Sequence, residues 1–442
     1  MDVEVSLEAI TLYAVCFLPG AEAVTEIVSP ESVGIDSNRL NNITVWLENQ
    51  VAQNRVAGAS ALISRRGKVA YFETTGMMDN ELGKPFEKDT IVRLYSMTKP
   101  ITTVAAMMLY EQGCFHLDDP ISKFIPEFGG TEVWAGGDAD INETVPMETP
   151  LTVYHLMTHT SGLTYDFMRT TAVDAQYRKS RLFTHSNDYD LADYTRRLAG
   201  VPLICQPGSQ WNYSVSIDVL GHLVEIWSGM TLQAFFQERI LWPLGMSDCG
   251  FHVEPQNHRR FSALYNAVGA GGLGQGNEGQ TPSGIKLQES SEESSYLAPT
   301  KMFSGGGGLT GTMDDYARFC QCMLNGGELN GARLLSPKTV AYMQRNHLPD
   351  NRDMAAMGQP IWSETSYDGI GFGLGWAVVL DTVKAHFLGS EGEHHWGGAA
   401  STFFWLDPVE DLFVIFLTQL MPSSAYPIRR ELRTQVYQSL ID

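Results

Sequence analysis

Apolar residues recur at helical spacing at Leu40, Ile43, Leu47 and Val51, with Asp36 or Ser37 placed to cap the first turn, which predicts an amphipathic helix. Two β-type runs follow, Ala57 to Ser64 and Val69 to Thr74, and Arg66-Gly67 between them reads as the turn of a hairpin. Near the other end, Val383 to Leu388, Ser401 to Leu406 and Leu412 to Leu417 predict three strands, with Asp407-Pro408 turning between the last two. A closing helix is predicted from about Pro427 to Leu440.

Helix and hairpin at the start, strands and helix at the end, imply one antiparallel β-sheet built from both termini and flanked by terminal helices. The fold class expected is α+β or α/β, with a large, mostly helical insertion. The expected division is a sheet domain of residues 30–110 and 300–442, and a helical inserted domain of residues 111–299. Residues 1–29 are expected to form an N-terminal extension, a candidate for disorder. Ala267 to Ser295, Gly-rich and then polar, reads as a flexible loop, and no internal repeat is evident.

Composition narrows the partners. The 442 residues carry 30 Lys and Arg against 51 Asp and Glu, a formal charge of −21, which argues against nucleic acid or an anionic membrane surface. No window holds the roughly 18 apolar residues that span a bilayer. Ile10 to Leu18 is apolar and Ala21-Glu22-Ala23 resembles a cleavage site, but Met1 to Glu8 bears acids and no base. A cytoplasmic protein is therefore favoured over an exported one. The six cysteines (Cys16, Cys114, Cys205, Cys249, Cys320, Cys322) lie mostly in apolar context and read as reduced, buried thiols. Oligomeric state leaves no trace in the pattern.

The candidate chemistry begins at Ser96-Met97-Thr98-Lys99. Ile101, Val104, Ala105, Met108 and Leu109 give the following helix an apolar face, Gly113 stops it, and Pro100 is tolerable only in a first turn, so the helix starts near Ser96. Positions i and i+3 share a face, which puts the Lys99 amine within reach of the Ser96 hydroxyl. Serine needs such a base to become a nucleophile, and a lysine serves if burial lowers its pKa. The helix N-terminus also points amide N–H groups at the place where an oxyanion would form. Ser283-Gly284-Ile285-Lys286 repeats the spacing inside the predicted loop, with no helix to hold it, so the motif alone is weak.

Two further features stand out. Trp211-Asn212-Tyr213-Ser214 follows a turn and precedes a helix, where a tyrosine is most simply packing. His394-His395-Trp396-Gly397-Gly398-Ala399 leads into the strand at Ser401, and glycines at a strand start let a ligand approach the backbone.

Taken together and in this order, Ser96-Met97-Thr98-Lys99, Tyr213-Ser214 and Trp396-Gly397-Gly398 resemble the three active-site motifs of the serine β-lactamase-like superfamily. His155 to Leu163, Pro243 to Met246, Gly305 to Leu309 and Gly371 to Trp376 agree with it, and the resemblance spans roughly residues 30 to 440. It is similar above all to the family VIII carboxylesterases and the related fungal acyltransferases. The resemblance implies the β-lactamase/transpeptidase-like fold, Ser96 as nucleophile, Lys99 and Tyr213 as its base system, and an oxyanion hole from the amides of Ser96 and Ala399. It also implies a substrate site at Trp396, Gly397, Gly398 and Val215; His395, beside the third motif, is a further candidate for that site, with a surface histidine as the alternative reading.

Two positions depart from the β-lactamase pattern. Val215 stands where a Tyr-x-Asn motif has its Asn, and Trp396 where Lys-Thr-Gly has the lysine that grips a penicillin carboxylate. Both changes favour neutral esters. The expected function is thus a serine carboxylesterase acting on short-chain esters through an acyl-Ser96 intermediate. The alternatives are an acyltransferase with the same acyl-enzyme, a β-lactamase or D-aminoacyl peptidase, and a non-catalytic protein that kept the fold. His155 and His159 stand four apart, but no His-Glu-x-x-His and no third ligand accompany them, so no metal and no cofactor is expected. No Gly-x-Ser-x-Gly elbow occurs.

Overall fold

In the computed structural model, residues 26–273, 282–358 and 367–442 are described. The Asp36 carboxylate accepts the amides of Asn38 and Arg39 and starts helix α1 (Ser37–Ala52), which buries Leu40, Ile43 and Leu47. Strands β1 (Gly58–Arg65), β2 (Lys68–Asp79) and β3 (Lys84–Pro85) come next. Helix α2 (Thr98–Glu111) and helix α3 (Ser216–Ser228) lie in the middle of the molecule. From the C-terminal part come β4 (Ile370–Phe372), β5 (Ala377–Val379), β6 (His394–Gly397), β7 (Phe403–Asp407), β8 (Leu412–Thr418) and helix α4 (Ile428–Tyr437).

The eight strands form one antiparallel sheet in the order β4-β5-β6-β7-β8-β1-β2-β3. The two ends of the chain meet where β1 pairs with β8, Leu62 opposite Ile415. Every residue of β1 and β8 is buried, because both faces of the sheet are covered. One face packs Ala61, Ile63, Trp405 and Phe416 against Ile43 and Leu47 of α1 and Leu432 and Val436 of α4. On the other face Leu62, Phe404 and Ile415 join α2, α3 and the helical middle in a second, larger core. The alternation of strand side chains thus divides each strand between two cores.

Helix α2 is buried from Thr98 through Leu109, as expected of a helix enclosed on all sides. Between residues 111 and 299 the chain adds, besides α3, helices Val153–Met157, Ala172–Lys179 and Leu191–Ala199 and several short strands. Among the described residues no helix is long and apolar enough to cross a membrane. Cys205, Cys249, Cys320 and Cys322 are buried free thiols and Cys114 is half-buried. Cys16, the apolar run Ile10 to Leu18 and the Ala21-Glu22-Ala23 sequence lie outside the described residues.

Two expected elements differ. Val383 to Leu388 is not a strand: Thr382–Ala385 forms a helical turn with Val383 80% exposed. The Asp381 carboxylate accepts the amides of Val383 and Lys384, and this cap outweighs the local β-propensity. The described parts of the Ala267 to Ser295 segment, residues 267–273 and 282–295, also differ from a plain loop. Leu264–Ala267 and Ile285–Glu289 pair as antiparallel strands, Ala267 opposite Ile285. Its serine run is tied back by Ser291 Oγ to Asp79 at 2.6 Å and by Arg93 to Ser294 Oγ at 3.1 Å.

Candidate active site

The turn Tyr95–Met97 leads into α2, and Tyr95 holds a positive φ of 47° that a tyrosine seldom adopts. Neighbours fix this turn from several sides. Tyr316 donates its hydroxyl to the Met97 carbonyl at 3.0 Å, the Leu94 amide donates to the Leu309 carbonyl at 2.9 Å, and the Leu309 amide donates to Thr98 Oγ1 at 3.1 Å. Ser96 is half-buried on this turn.

One turn further, the fully buried Lys99 places Nζ 3.1 Å from Ser96 Oγ, 3.0 Å from the Tyr165 hydroxyl and 2.6 Å from the Gly306 carbonyl. Tyr213, just before α3, donates its hydroxyl to the same Ser96 Oγ at 2.5 Å. Burial acts on these two groups in opposite senses because it disfavours whichever form is charged. It pushes the Lys99 ammonium down to about 7, against an upward pull from Asp218. It pushes the Tyr213 phenol above its ordinary value. At neutral pH the phenol therefore keeps its proton while the amine loses its own readily.

The strand β6 brings the third motif alongside. Trp396 is buried with its ring 5.4 Å from that of Tyr213 and 5.3 Å from that of Phe372. A side chain on Gly398 would meet the Leu94 carbonyl oxygen at 2.5 Å, and one on Gly397 would meet Arg429. Gly398 is thus what lets the end of this strand close on the backbone that leads into Ser96. The Gly398 amide donates to the Thr402 carbonyl at 2.7 Å, which sets the turn holding the half-buried Ala399.

Not every expected site residue joins this cluster. His395 occupies the opposite face of β6 from Trp396, with Nδ1 3.2 Å from the buried Glu393 carboxylate, whose other oxygen accepts from Arg433 of α4 at 2.5 Å. Its expected place in the substrate site is therefore corrected: strand alternation points it at the terminal helix. Val215 is buried in the core and its amide donates to the Thr164 carbonyl at 3.3 Å. His155 Nδ1 accepts from the Thr152 amide at 3.2 Å, and His159 Nδ1 lies 3.2 Å from Ser214 Oγ. Among the described residues no group of three or more His, Cys, Asp or Glu is arranged to hold a metal. Lys286, of the second Ser-x-x-Lys, is exposed on its strand.

Three neighbours escaped the sequence analysis. Tyr165 follows the His155 to Leu163 stretch, and its hydroxyl touches Lys99. Asp218, on α3, lies buried behind Gly306. The imidazole of His185 lies 3.8 Å from where a Gly307 side chain would begin, and the Tyr95 carbonyl carbon lies 3.7 Å from that same point. A Tyr five residues before an Asp, as in Tyr213 and Asp218, was the only available signal, and it means nothing until α3 is placed against α2.

A serine hydroxyl whose partners are a lysine and a tyrosine, set between an antiparallel sheet and a helical layer, defines the penicillin-recognising class of serine hydrolases. The chain belongs to the Beta-lactamase family, whose model matches residues 44–438. It is 32% identical to Esterase EstB of Burkholderia gladioli over 428 residues, covering 93% of this chain and 98% of the esterase. Protein Rv1367c of Mycobacterium tuberculosis is 33% identical over 371 residues, covering 83% of this chain and 86% of that protein. Among solved structures, EstCE1, described as a hydrolase with promiscuous acyltransferase activity, superposes with a TM-score of 0.73 at 26% identity, covering 90% of this chain and 99% of that one.

Proposed function

We propose that this protein is a serine carboxylesterase that cleaves small, short-chain carboxylic esters through an acyl-Ser96 intermediate. The observation that carries the reading is the convergence of Lys99 Nζ and the Tyr213 hydroxyl on one oxygen, Ser96 Oγ, at 3.1 and 2.5 Å. Burial makes Lys99 the proton acceptor, since a neutral amine is accessible near pH 7 and a tyrosinate is not.

In the first half-reaction Ser96 Oγ passes its proton to Lys99 and attacks the ester carbonyl carbon. The amides of Ser96 and Ala399 hold the oxyanion. The C–O bond to the alcohol then breaks, and the alcohol leaves with a proton returned by the Lys99 ammonium while Tyr213 donates to the departing oxygen. Water takes the alcohol's place, gives a proton to Lys99 and attacks the acyl carbon; the bond from that carbon to Ser96 Oγ then breaks, Lys99 returns the proton to Oγ, and the acid leaves. No cofactor enters the sequence.

The substrate is an ester rather than a lactam because Trp396 and Val215 stand where penicillin-binding relatives place a lysine and an asparagine. An indole packed on Tyr213 and Phe372 offers apolar surface and no cation for a carboxylate. The named esterase among the relatives supports the same choice. In this reading the site lies between a sheet domain, residues 30–110 and 300–442, and a helical insert, residues 111–299. The first supplies Ser96, Lys99 and Trp396, and the second Tyr165 and Tyr213.

Nitrophenyl esters of increasing acyl length, assayed beside nitrocefin, test the reading. Acetate and butyrate esters should turn over far faster than nitrocefin, and dominant nitrocefin hydrolysis would reject it. A second reading, acyl transfer to an alcohol, is favoured by the activity described for EstCE1. Added alcohol acceptor would then divert the acyl group into a new ester.

A further inference from the structure

Behind Lys99 lies a glycine strap, Ser304 to Gly308, wedged between α2 and α3. The Thr102 hydroxyl of α2 donates to the Gly305 carbonyl at 2.7 Å, and Lys99 Nζ donates to the Gly306 carbonyl at 2.6 Å. From the α3 side the Asp218 carboxylate holds the same strap. Its Oδ1 accepts from Ser304 Oγ at 2.5 Å and from the Gly306 amide at 3.0 Å. A side chain on Gly306 would overlap Asp218 Oδ2, so only glycine lets the carboxylate come this close.

Asp218 is fully buried, and its Oδ2 has no hydrogen-bond partner among the described residues. A buried carboxylate with one oxygen unpaired is costly unless a nearby cation compensates it. The groups facing Lys99 are the hydroxyls of Ser96, Tyr165 and Tyr213, the Gly306 carbonyl, and, acting through space, Asp218 and the imidazoles of His159 and His185. Burial holds both imidazoles neutral at pH 7, which leaves Asp218 as the carboxylate acting on the amine.

We propose that Asp218 is a positioning residue for Lys99, pinning the Ser304–Gly306 strap so that the Gly306 carbonyl receives the amine, and setting with its buried charge how readily that amine gives up a proton. The inference rests on Lys99 being the base. Asp218 touches neither substrate nor Ser96, and it acts through the strap and through its field. The fit of the strap is therefore a matter of rate, and the charge a matter of pH.

Asp218→Asn separates the two. The amide oxygen can take the place of Oδ1 and keep both donors, while the amide nitrogen fills the unpaired Oδ2 position, so shape is retained and charge is lost. Removing the anion makes the ammonium harder to keep. The acid limb of kcat/KM for nitrophenyl butyrate should move to lower pH by about one unit or more, with KM little changed. An acid limb that stays in place would overturn the charge role. Ser304→Ala keeps the charge but removes one strap bond; kcat should fall several-fold at constant KM, and undiminished kcat would overturn the strap role. If Asp218→Asn does not fold, Ser304→Ala decides the strap role, and Asp218→Ser, uncharged and smaller, decides the charge role by the same shift of the acid limb. Failure of the wild-type enzyme to turn over the ester, or lack of an acid limb near neutrality, would instead reject Lys99 as base.

Discussion

Lys99 Nζ lies over the ring of Tyr213, 4.6 Å from its centroid, while the hydroxyl of that ring reaches Ser96 Oγ. Lysine and phenol are therefore packed as one unit around a single oxygen. Burial drives their pKa values apart, the amine downward and the phenol upward.

The pH profile follows from this arrangement. Only the free amine accepts a proton, so kcat/KM should rise with pH through about 7 and level off above it. Tyr213, held above its ordinary range, should cause no alkaline decline before roughly pH 10. Initial rates on nitrophenyl butyrate between about pH 5 and 10 would measure the acid limb and check that a plateau follows it. A midpoint close to the ordinary lysine value would contradict the role given to burial.

Removing the hydroxyls should be costly in different degrees. Ser96→Ala should leave a folded protein with activity down by several orders of magnitude and no label from a phosphonate. Tyr213→Phe keeps the ring between Lys99 and Trp396 and loses only the donor. Its kcat should fall about 10²- to 10⁴-fold with a nearly unchanged melting temperature.

At the third motif the close approach of two backbones is testable. In Gly398→Ala the new methyl would meet the Leu94 carbonyl at 2.5 Å as well as Thr402, so the turn must shift and carry the Ala399 amide with it. A drop in kcat of about 10²-fold, with KM within a few-fold of wild type, is expected for a displaced oxyanion donor. Unchanged kcat would remove Ala399 from the oxyanion hole.

Trp396→Lys restores the residue type of the penicillin-binding pattern in an aromatic nest. Ester turnover should weaken because the apolar wall is lost, while Ser96 should still acylate, as intact-mass measurement would reveal. Complete loss of phosphonate labelling would mean that Trp396 supports the nucleophile itself.

The opposite face of β6 governs stability. Burial would raise the Glu393 carboxyl, but the Arg433 charge and the contacts with His395 and Arg433 carry it down to about 2. A folded-state value below the ordinary 4.5 contributes stability that is present above about 4.5 and is lost as pH falls toward 2. Glu393→Gln takes the adjacent carboxylate charge from the buried Arg433, and should cost about 3 kcal/mol in denaturant unfolding at pH 7. A much smaller loss at pH 7 would show that the pair is dispensable.

Much of this molecule could be read from local pattern. The spacing of Leu40, Ile43 and Leu47 marked α1, and the turn at Arg66-Gly67 marked the β1–β2 hairpin, because period and turn chemistry act over a few residues. The proximity of Ser96 and Lys99 was legible from helix geometry, but that spacing recurs at Ser283 and Lys286, and only the helix start and the resemblance of three motifs singled the pair out. Trp396 could be singled out by its motif, but its face could not. That β6 turns Trp396 toward Tyr213 and His395 toward Arg433 depends on which core each side of the sheet meets. Local composition also misled at Val383, where Asp381 caps a helical turn inside an apolar run.

The amino-acid order thus determined most of the elements and set the Lys99 amine one helical turn from the Ser96 hydroxyl, through interactions local in the chain. Tertiary structure alone decided that Tyr165 and Gly306, 66 and 207 residues from Lys99, would close on its amine. It decided as well that Asp218 would lie behind them. Such contacts have no period in the chain; they exist because α2, α3 and the glycine strap must share one dry core, and that exclusion of water is what brings the Lys99 ammonium down to about 7.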